Sequence, residues 1–356
     1  MSAISLRGVV KSYPNFTLGP VDLTVQRGEL FGILGPPSAG KTSILKLILG
    51  LVKPDSGRIL IGGADAEEME VADRQISMVF QNLALFPHMS GRENIIFPLT
   101  EQGVSEDEIA MRLDAVSDTL HVAHILHKNP AQMSGGERQR IALGRALAPE
   151  SRAILLDEPI AALDARLREE MRVELKRLQR TKSQTFVYVS HDEEEVMAIA
   201  DRVAVVIDGR VVQVGAPDDV YNRPNSIAVA HEVGSPPMNL LSGRFSLDGR
   251  HFECGSMIVP IAGIRNVPVG EQGTLGVRPE DIHAASDRMP LRFGVKISSI
   301  EPLGAYTIVN AMLDDHLIKI RVSGQLGSPN DYGESVTFDT RRLHLFDCNG
   351  GRLEME

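Results

Sequence analysis

Cysteine is nearly absent. Cys254 and Cys348 are the two present among 356 residues, and because they could pair only once, a disulfide-built scaffold is excluded. They read as reduced thiols serving as small apolar or surface residues. No run approaches the ~18 to 20 apolar residues that a bilayer-spanning helix requires. The segment Ser2-Ala3-Ile4-Ser5-Leu6-Arg7 lacks a basic stretch followed by an apolar one, so the expectation is a chain that stays in the cytoplasm. Positive charge is in deficit, with 37 Lys and Arg against 47 Asp and Glu and a net charge of −10. That balance disfavours a phosphate-tracking nucleic-acid surface or a polybasic lipid contact, and assigns any membrane association to protein partners. No repeat or low-complexity tract stands out.

What is present points to two domains. A length of 356 exceeds what one hydrophobic core organises, and 43% hydrophobic content is that of a globular chain. From residue 4 to about 235, short apolar runs such as 152–156 and 185–189 alternate with helical patterns, which predicts an α/β domain with a largely parallel sheet. Leu167, Met171, Leu175 and Leu178 recur at helical spacing and read as core packing. Val203–Ile207 and Arg210–Val214 flank Asp208-Gly209, a dipeptide suited to a two-residue hairpin that closes the first sheet. Prolines 217, 224, 236 and 237 punctuate a polar segment, after which short alternating strands predict a small all-β, barrel-like domain over 240–356.

The pattern G-x-x-x-x-G-K-[ST] occupies residues 35–42, as Gly35-Pro36-Pro37-Ser38-Ala39-Gly40-Lys41-Thr42, with Ser43 following. It stands between the apolar run 30–34 and the helical run 44–49, and is therefore a strand, a glycine turn and a helix in the order that phosphate binding needs. The bare pattern arises by chance on the order of once per hundred chains of this composition. Successive backbone N–H groups and a helix N-terminus hold a triphosphate without a deep cavity. Lys41 would reach the β- and γ-phosphates, and Thr42 would offer its hydroxyl to Mg²⁺.

The apolar strand Ala153-Ile154-Leu155-Leu156 ends in Asp157-Glu158. Ligands of open α/β sheets sit at strand C-termini, and two adjacent carboxylates can divide two roles there. Asp157 would hold Mg²⁺ through its water shell, and Glu158 would deprotonate an attacking water. Ser134-Gly135-Gly136 opens another helix, an anion site in its own right. His121, His124 and His127 are spaced so that they could line one helix face, and read as a solvated surface because no further ligand is supplied nearby.

Met133-Ser134-Gly135-Gly136-Glu137-Arg138-Gln139-Arg140, ahead of that carboxylate strand, resembles the signature motif of ATP-binding cassette ATPases. The resemblance implies an α/β P-loop NTPase cassette over 1–235 with a helical subdomain at about 88–150. A small all-β OB-like (TOBE-type) domain over 236–356 would follow. It implies two copies packed head to tail as a homodimer, each ATP lying between the P-loop of one and Ser134-Gly135-Gly136 of the other. It assigns Gln81 to sensing Mg²⁺ and water, His191 to the γ-phosphate, Tyr13 to adenine stacking, and Ala161-Ala162-Leu163-Asp164 to a loop crossing the dimer interface. The nucleotide contacts so implied run from Gly35, Pro36, Ser38, Ala39 and Gly40 to Lys41, Thr42 and Ser43, with Asp157 and Asp164. Three departures matter: Pro37 and Ser38 stand where serine and glycine are usual, which removes an amide donor and easy access to positive φ; Met133 stands where leucine is common, a near volume-conserving swap; and Ala161 stands where serine is common, removing a hydroxyl.

Gly234-Ser235-Pro236-Pro237-Met238-Asn239, Gly276-Val277-Arg278-Pro279-Glu280 and Leu343-His344-Leu345-Phe346-Asp347 are similar to motifs of the maltose-type importer ATPases. Residues 79–88 and Glu93-Asn94-Ile95 resemble the surface by which that branch grips its permease, and the Phe- and Leu-rich segment reads independently as a protein contact. The resemblance implies an ATPase subunit at the cytoplasmic face of the inner membrane, under two transmembrane permease subunits served by an extracytoplasmic solute-binding protein. A regulatory protein could dock on the C-terminal domain, and no nucleic acid is expected. Cargo is not written in such a subunit: sugars, polyol phosphates, polyamines and anions are all moved by related ATPases. Two other classes stay open, a non-transport cassette ATPase and a regulatory module that binds nucleotide without hydrolysing it.

Overall fold

The computed structural model describes residues 2–354 apart from 162, 262, 265, 287, 288, 290 and 327–331. It divides into two compact units, Met1–Asp218 and Asp219–Glu356. The boundary motif at 234–239 lies beyond that division, with helices Pro217–Asn222 and Ile227–Glu232 between the two points.

The first unit opens with β1 (Ser2–Tyr13), β2 (Phe16–Gln26), β3 (Leu30–Leu34), α1 (Lys41–Leu49), β4 (Ser56–Ile61), β5 (Ala64–Asp65) and β6 (Ile76–Val79). Three helices follow, α2 (Gly91–Glu101), α3 (Glu106–Leu120) and α4 (Gly135–Leu147). The chain then returns through β7 (Ala153–Asp157), α5 (Ala165–Lys182), β8 (Phe186–Val189), α6 (Glu193–Ile199), β9 (Arg202–Ile207) and β10 (Arg210–Gly215). Among the described residues the principal sheet has the order β10-β9-β3-β8-β7-β6, parallel throughout except for the β9–β10 hairpin. Strands β3, β7 and β8 are buried along their whole length, as strands covered on both faces must be, which explains their unbroken apolar runs. Because β3, β6, β7 and β8 are parallel, the segments after Leu34, Val79, Asp157 and Val189 all emerge at one edge of the sheet.

The largely parallel sheet and the Asp208-Gly209 hairpin match expectation; Asp208 has φ 47° and Gly209 φ 77°. A second, antiparallel sheet of order β2-β1-β4-β5 was not anticipated. It pairs Ile4 with Ile61 across a long stretch of sequence, and so distant a partnership leaves no mark in local periodicity. Gly19 N–H donates to Gly209 O at 2.7 Å, linking this sheet to the hairpin.

Helices α2 and α4 each begin with a complete capping box, Ser90 with Glu93 and Ser134 with Glu137. They pack closely where Gly144 faces Ile95, since a Cβ there would lie 3.0 Å from the Ile95 side chain. In α5, Met171, Leu175 and Leu178 are buried as the stripe predicts, and Leu167 is half-buried. The three histidines do not share a helix face: α3 stops at Leu120, His121 takes a left-handed φ of 52° as its cap, and all three side chains are exposed.

Past α7 (Pro217–Asn222) and α8 (Ile227–Glu232), the second unit is built of antiparallel strands. Its largest sheet joins β11 (Asn239–Phe245), β12 (His251–Cys254), β13 (Met257–Pro260), β14 (Gln272–Val277) and, from the far end of the chain, His344–Phe346. Phe245 and Phe252 meet edge to face at 5.1 Å in its core.

Candidate functional site

The turn after β3 fits tightly into the sheet edge: a Cβ on Gly35 would lie 2.0 Å from Val206 O, so no other residue can stand there. Gly40 caps α1 with φ 101°, no side chain caps that helix, and its first turn carries no acidic residue. Its N-terminal N–H groups and dipole therefore face the turn without an internal anion. Ser38 retains the left-handed conformation, φ 64°, that glycine would adopt without strain. Lys41 is 7% exposed and its Nζ donates to Gly35 O at 2.5 Å and Pro36 O at 2.9 Å, folding the cation back onto its own turn.

Thr42 Oγ1 donates to Asp157 Oδ1 at 3.2 Å, behind the turn. Burial pushes the Asp157 carboxyl above the usual carboxylate range, and the neighbouring Glu158 adds to this while the Thr42 hydroxyl opposes it. Glu158 has φ 49° and its N–H donates to Val189 O at 2.9 Å. Its carboxylate is held on both oxygens: Gln81 Nε2 donates to Oε2 at 2.8 Å, and His191 Nδ1 hydrogen-bonds Oε1 at 2.9 Å. A hydroxyl, a buried carboxylate and a nearby carboxamide oxygen are the hard oxygen donors that Mg²⁺ prefers, so these residues fit that ion.

A cavity of about 650 Å³ joins these groups, lined by Tyr13, Phe16, residues 37–43, Gln81, Glu158, Val189 and His191. Gly35, Pro36 and Asp157 lie outside its wall, the first two bonded to Lys41 and the third to Thr42. Ser134, Gly135, Gly136 and Asp164 do not reach it. Ser134 instead caps α4, accepting from Glu137 N–H at 3.2 Å, and Asp164 caps α5, accepting from Leu167 N–H at 3.0 Å. Ala162 lies outside the described residues.

Sequence reasoning missed two contributors. Phe16 stacks with Tyr13 at 6.2 Å across the β1–β2 turn and shares the cavity wall. Glu195, 2% exposed, accepts from Tyr188 Oη at 3.0 Å and Ser190 Oγ at 2.8 Å, while Ser190 Oγ accepts from Asp192 N–H at 3.0 Å. That buried network fixes the backbone on both sides of His191. An aromatic three residues after Tyr13 was the available signal for Phe16; Glu195 had none, because a glutamate in the run Glu193-Glu194-Glu195 looks solvated.

The segment after Gln81 borders a separate groove of about 880 Å³ whose wall includes Phe80, Ala84, Phe86, Phe97 and Arg145. Leu83 and Ala84 both take left-handed φ, 63° and 46°. Their carbonyl oxygens accept from the Arg145 guanidinium at 2.8 and 2.7 Å, and the same guanidinium lies 5.6 Å from the Phe86 ring centre.

Residues 18–161 match the ABC transporter family and residues 234–282 the MalK OB fold domain. The sn-glycerol-3-phosphate import ATP-binding protein UgpC of Paraburkholderia xenovorans is 38% identical over 360 residues, 99% of each chain. The sulfoquinovosyl glycerol transport ATP-binding protein SmoE of Agrobacterium fabrum is 36% identical over 359 residues, again 99% of each chain. Among solved structures, the dimeric ABC transporter cassette MJ0796 superposes with a TM-score of 0.56 at 29% identity, covering 60% of this chain and 98% of that one. A post-hydrolysis state of the same cassette bound to ADP and Pi matches with the same figures.

Proposed function

The chain belongs to the ATP-binding cassette transporter family, in the maltose-type importer branch, and from that premise we propose how its residues carry out ATP hydrolysis coupled to solute uptake. The observation that carries the reading is the Glu158 carboxylate at the cavity wall, held on one oxygen by Gln81 and on the other by His191.

On ATP entry, Lys41 exchanges the carbonyl oxygens of Gly35 and Pro36 for the β- and γ-phosphates. The turn amides and the α1 N-terminus hold the remaining oxygens, while Tyr13, backed by Phe16, takes the adenine. Thr42 and Asp157, with Gln81 beside them, would hold Mg²⁺, which would supply positive charge against the phosphates. Glu158 orients a water and takes its proton; His191 fixes that carboxylate and faces the γ-phosphate. Positioning and electrostatics supply most of the acceleration, as is general for phosphoryl transfer. Pro37 gives this turn one amide fewer than it could have, and Ser38 keeps the conformation despite its side chain.

Ser134, Gly135 and Gly136 serve the nucleotide of a second copy, and Asp164 lies at the interface between copies. A homodimer then closes on two ATP molecules and reopens after hydrolysis. Residues 1–235 form the cassette, with about 88–150 as its helical subdomain, and 236–356 form the OB-like domain. The Phe86 groove receives one of two transmembrane permease subunits, which work with an extracytoplasmic solute-binding protein, and the chain lies peripherally on the cytoplasmic face of the inner membrane. No helix among the described residues is long and apolar enough to cross that membrane. The named cargoes of the relatives make a sugar-like solute or polyol phosphate the favoured cargo, ahead of a polyamine or an inorganic anion.

The test is ATP turnover by the chain reconstituted with the permease subunits that co-purify with it. Turnover stimulated by solute-loaded binding protein is expected, and the Lys41→Ala variant should abolish it. Nucleotide binding without turnover in that complex rejects the reading in favour of a regulatory module.

A further inference from the structure

The Glu158 carboxylate belongs to a closed circuit of contacts. From Oε1 the circuit passes to His191, and the residues on either side of that histidine are tied together, Asp192 N–H donating to Ser190 Oγ at 3.0 Å. Ser190 Oγ and Tyr188 Oη both donate to Oε2 of Glu195, at 2.8 and 3.0 Å, while Glu195 N–H donates to Asp192 Oδ1 at 3.2 Å. Glu195 is 2% exposed, and a carboxylate so deeply buried needs a cation close by.

Arg168, on α5, supplies it. The side chain is half-buried, and its Nε lies 3.8 Å from Glu195 Oε1, close enough for charge attraction and too far for a hydrogen bond. Nη1 lies 3.6 Å from Asp192 Oδ2, and Nη2 donates to Leu163 O at 3.3 Å. The backbone N–H of Arg168 donates to Asp164 O at 2.9 Å, in the first turn of the helix that Asp164 caps. Ala161 N–H in turn donates to Glu158 O at 3.4 Å, which brings the circuit back to the residue where it began. One planar cation therefore touches both the loop at 161–164 and the segment that carries His191. The rigid fork of a guanidinium can fix two segments at once, as a point charge on a flexible stem cannot.

We propose that Arg168 and Glu195 are positioning residues for ATP hydrolysis: they hold the segment 190–192 against the loop 161–164 and so set the geometry in which His191 meets the Glu158 carboxylate. Neither lines the nucleotide cavity, so both act through His191. The inference rests on the reading above, in which Glu158 and His191 serve hydrolysis.

The experiment is ATP turnover by the full chain in its permease complex, with the variants Arg168→Met and Glu195→Gln. Methionine keeps an aliphatic stem without the charge; glutamine keeps an oxygen for the two hydroxyls and removes the attraction to Arg168. Each should lower kcat roughly 10- to 100-fold, the loss that a small misplacement of a reacting group brings, with KM for ATP unchanged. In a His191→Gln background, followed over long incubation, Arg168→Met should cost nothing further, because the ring through which it acts is already gone. A merely structural role would add its full loss in that background and weaken ATP binding as well. The ring nitrogens of His191, followed by NMR in the ligand-free chain and assigned from the His191→Gln variant, give a readout that needs no turnover. Both variants should shift these signals. An idle parent complex would reject the hydrolysis reading and leave the NMR result to decide whether Arg168 and Glu195 position His191. Full kcat in both variants, an additive loss in the His191→Gln background, or unshifted His191 signals overturns the proposal.

Discussion

His191 Nδ1 lies 2.9 Å from Glu158 Oε1, so the ring stands directly against the carboxylate that faces the cavity. Gln81 grips the other oxygen, and the carboxylate is thereby oriented before any ligand arrives.

Replacing Glu158 by Gln keeps the size of the side chain and removes its capacity to take a proton. Turnover should fall about 100-fold or more, the range assigned to general-base catalysis, while ATP binding persists. Phosphate release and size-exclusion chromatography with Mg-ATP measure the two halves of this statement. The variant should elute as a dimer, and near-normal release would remove Glu158 from the role of base.

Ser38 holds a left-handed φ of 64° in the phosphate turn. Glycine adopts that conformation without the roughly 1 kcal/mol that a Cβ adds, whereas a β-branched residue is a marked outlier there. Ser38→Gly should therefore keep or tighten ATP affinity and thermal stability, and Ser38→Val should lower both, with at least a tenfold loss of affinity by nucleotide titration. Equal behaviour of the two variants would show that the turn relaxes freely.

Asp157 is 3% exposed, and its carboxyl is held above the usual range chiefly by burial. A carboxyl raised in the folded state penalises the fold when ionised: the cost is fully present above the raised value and disappears as pH falls through it. Asp157→Asn should raise the unfolding midpoint of the ligand-free chain at neutral pH, still accept from Thr42, and lose this advantage in acid. The same substitution should weaken Mg-dependent ATP binding. Thermal melts across pH, with and without Mg-ATP, check both.

His344 is pushed down to about 4 by burial first, and then by Arg352 and Arg278. The unfolded chain protonates this ring near its ordinary value of 6.5 while the folded one does not. Stability should accordingly fall as pH drops from about 6.5 to 4, at up to about 1.4 kcal/mol per pH unit, and level off below. Urea midpoints should show a shallower acid loss for His344→Leu than for the parent chain.

Much of this site could be read from local pattern, because its parts are short and lie at strand ends. The turn after β3, the Asp157-Glu158 pair and His191 each follow an apolar run, and a parallel sheet delivers such ends to one edge. What escaped was non-local. The β1–β4 pairing joins distant segments, Phe16 enters the cavity only because the β1–β2 turn folds it beside Tyr13, and Glu195 is buried by Tyr188 and Ser190 rather than by its own neighbours. Arg168 reaches Asp192 and Glu195 from another helix, a meeting that no window of sequence shows.

Helix α4 begins with Ser134 at its cap and carries Arg145 in its last turn, where the guanidinium forks onto the backbone of Leu83 and Ala84. Thirteen residues at about 1.5 Å each make a stiff rod of roughly 20 Å. One stiff element thus joins the loop beside Phe86 at one end to Ser134 at the other.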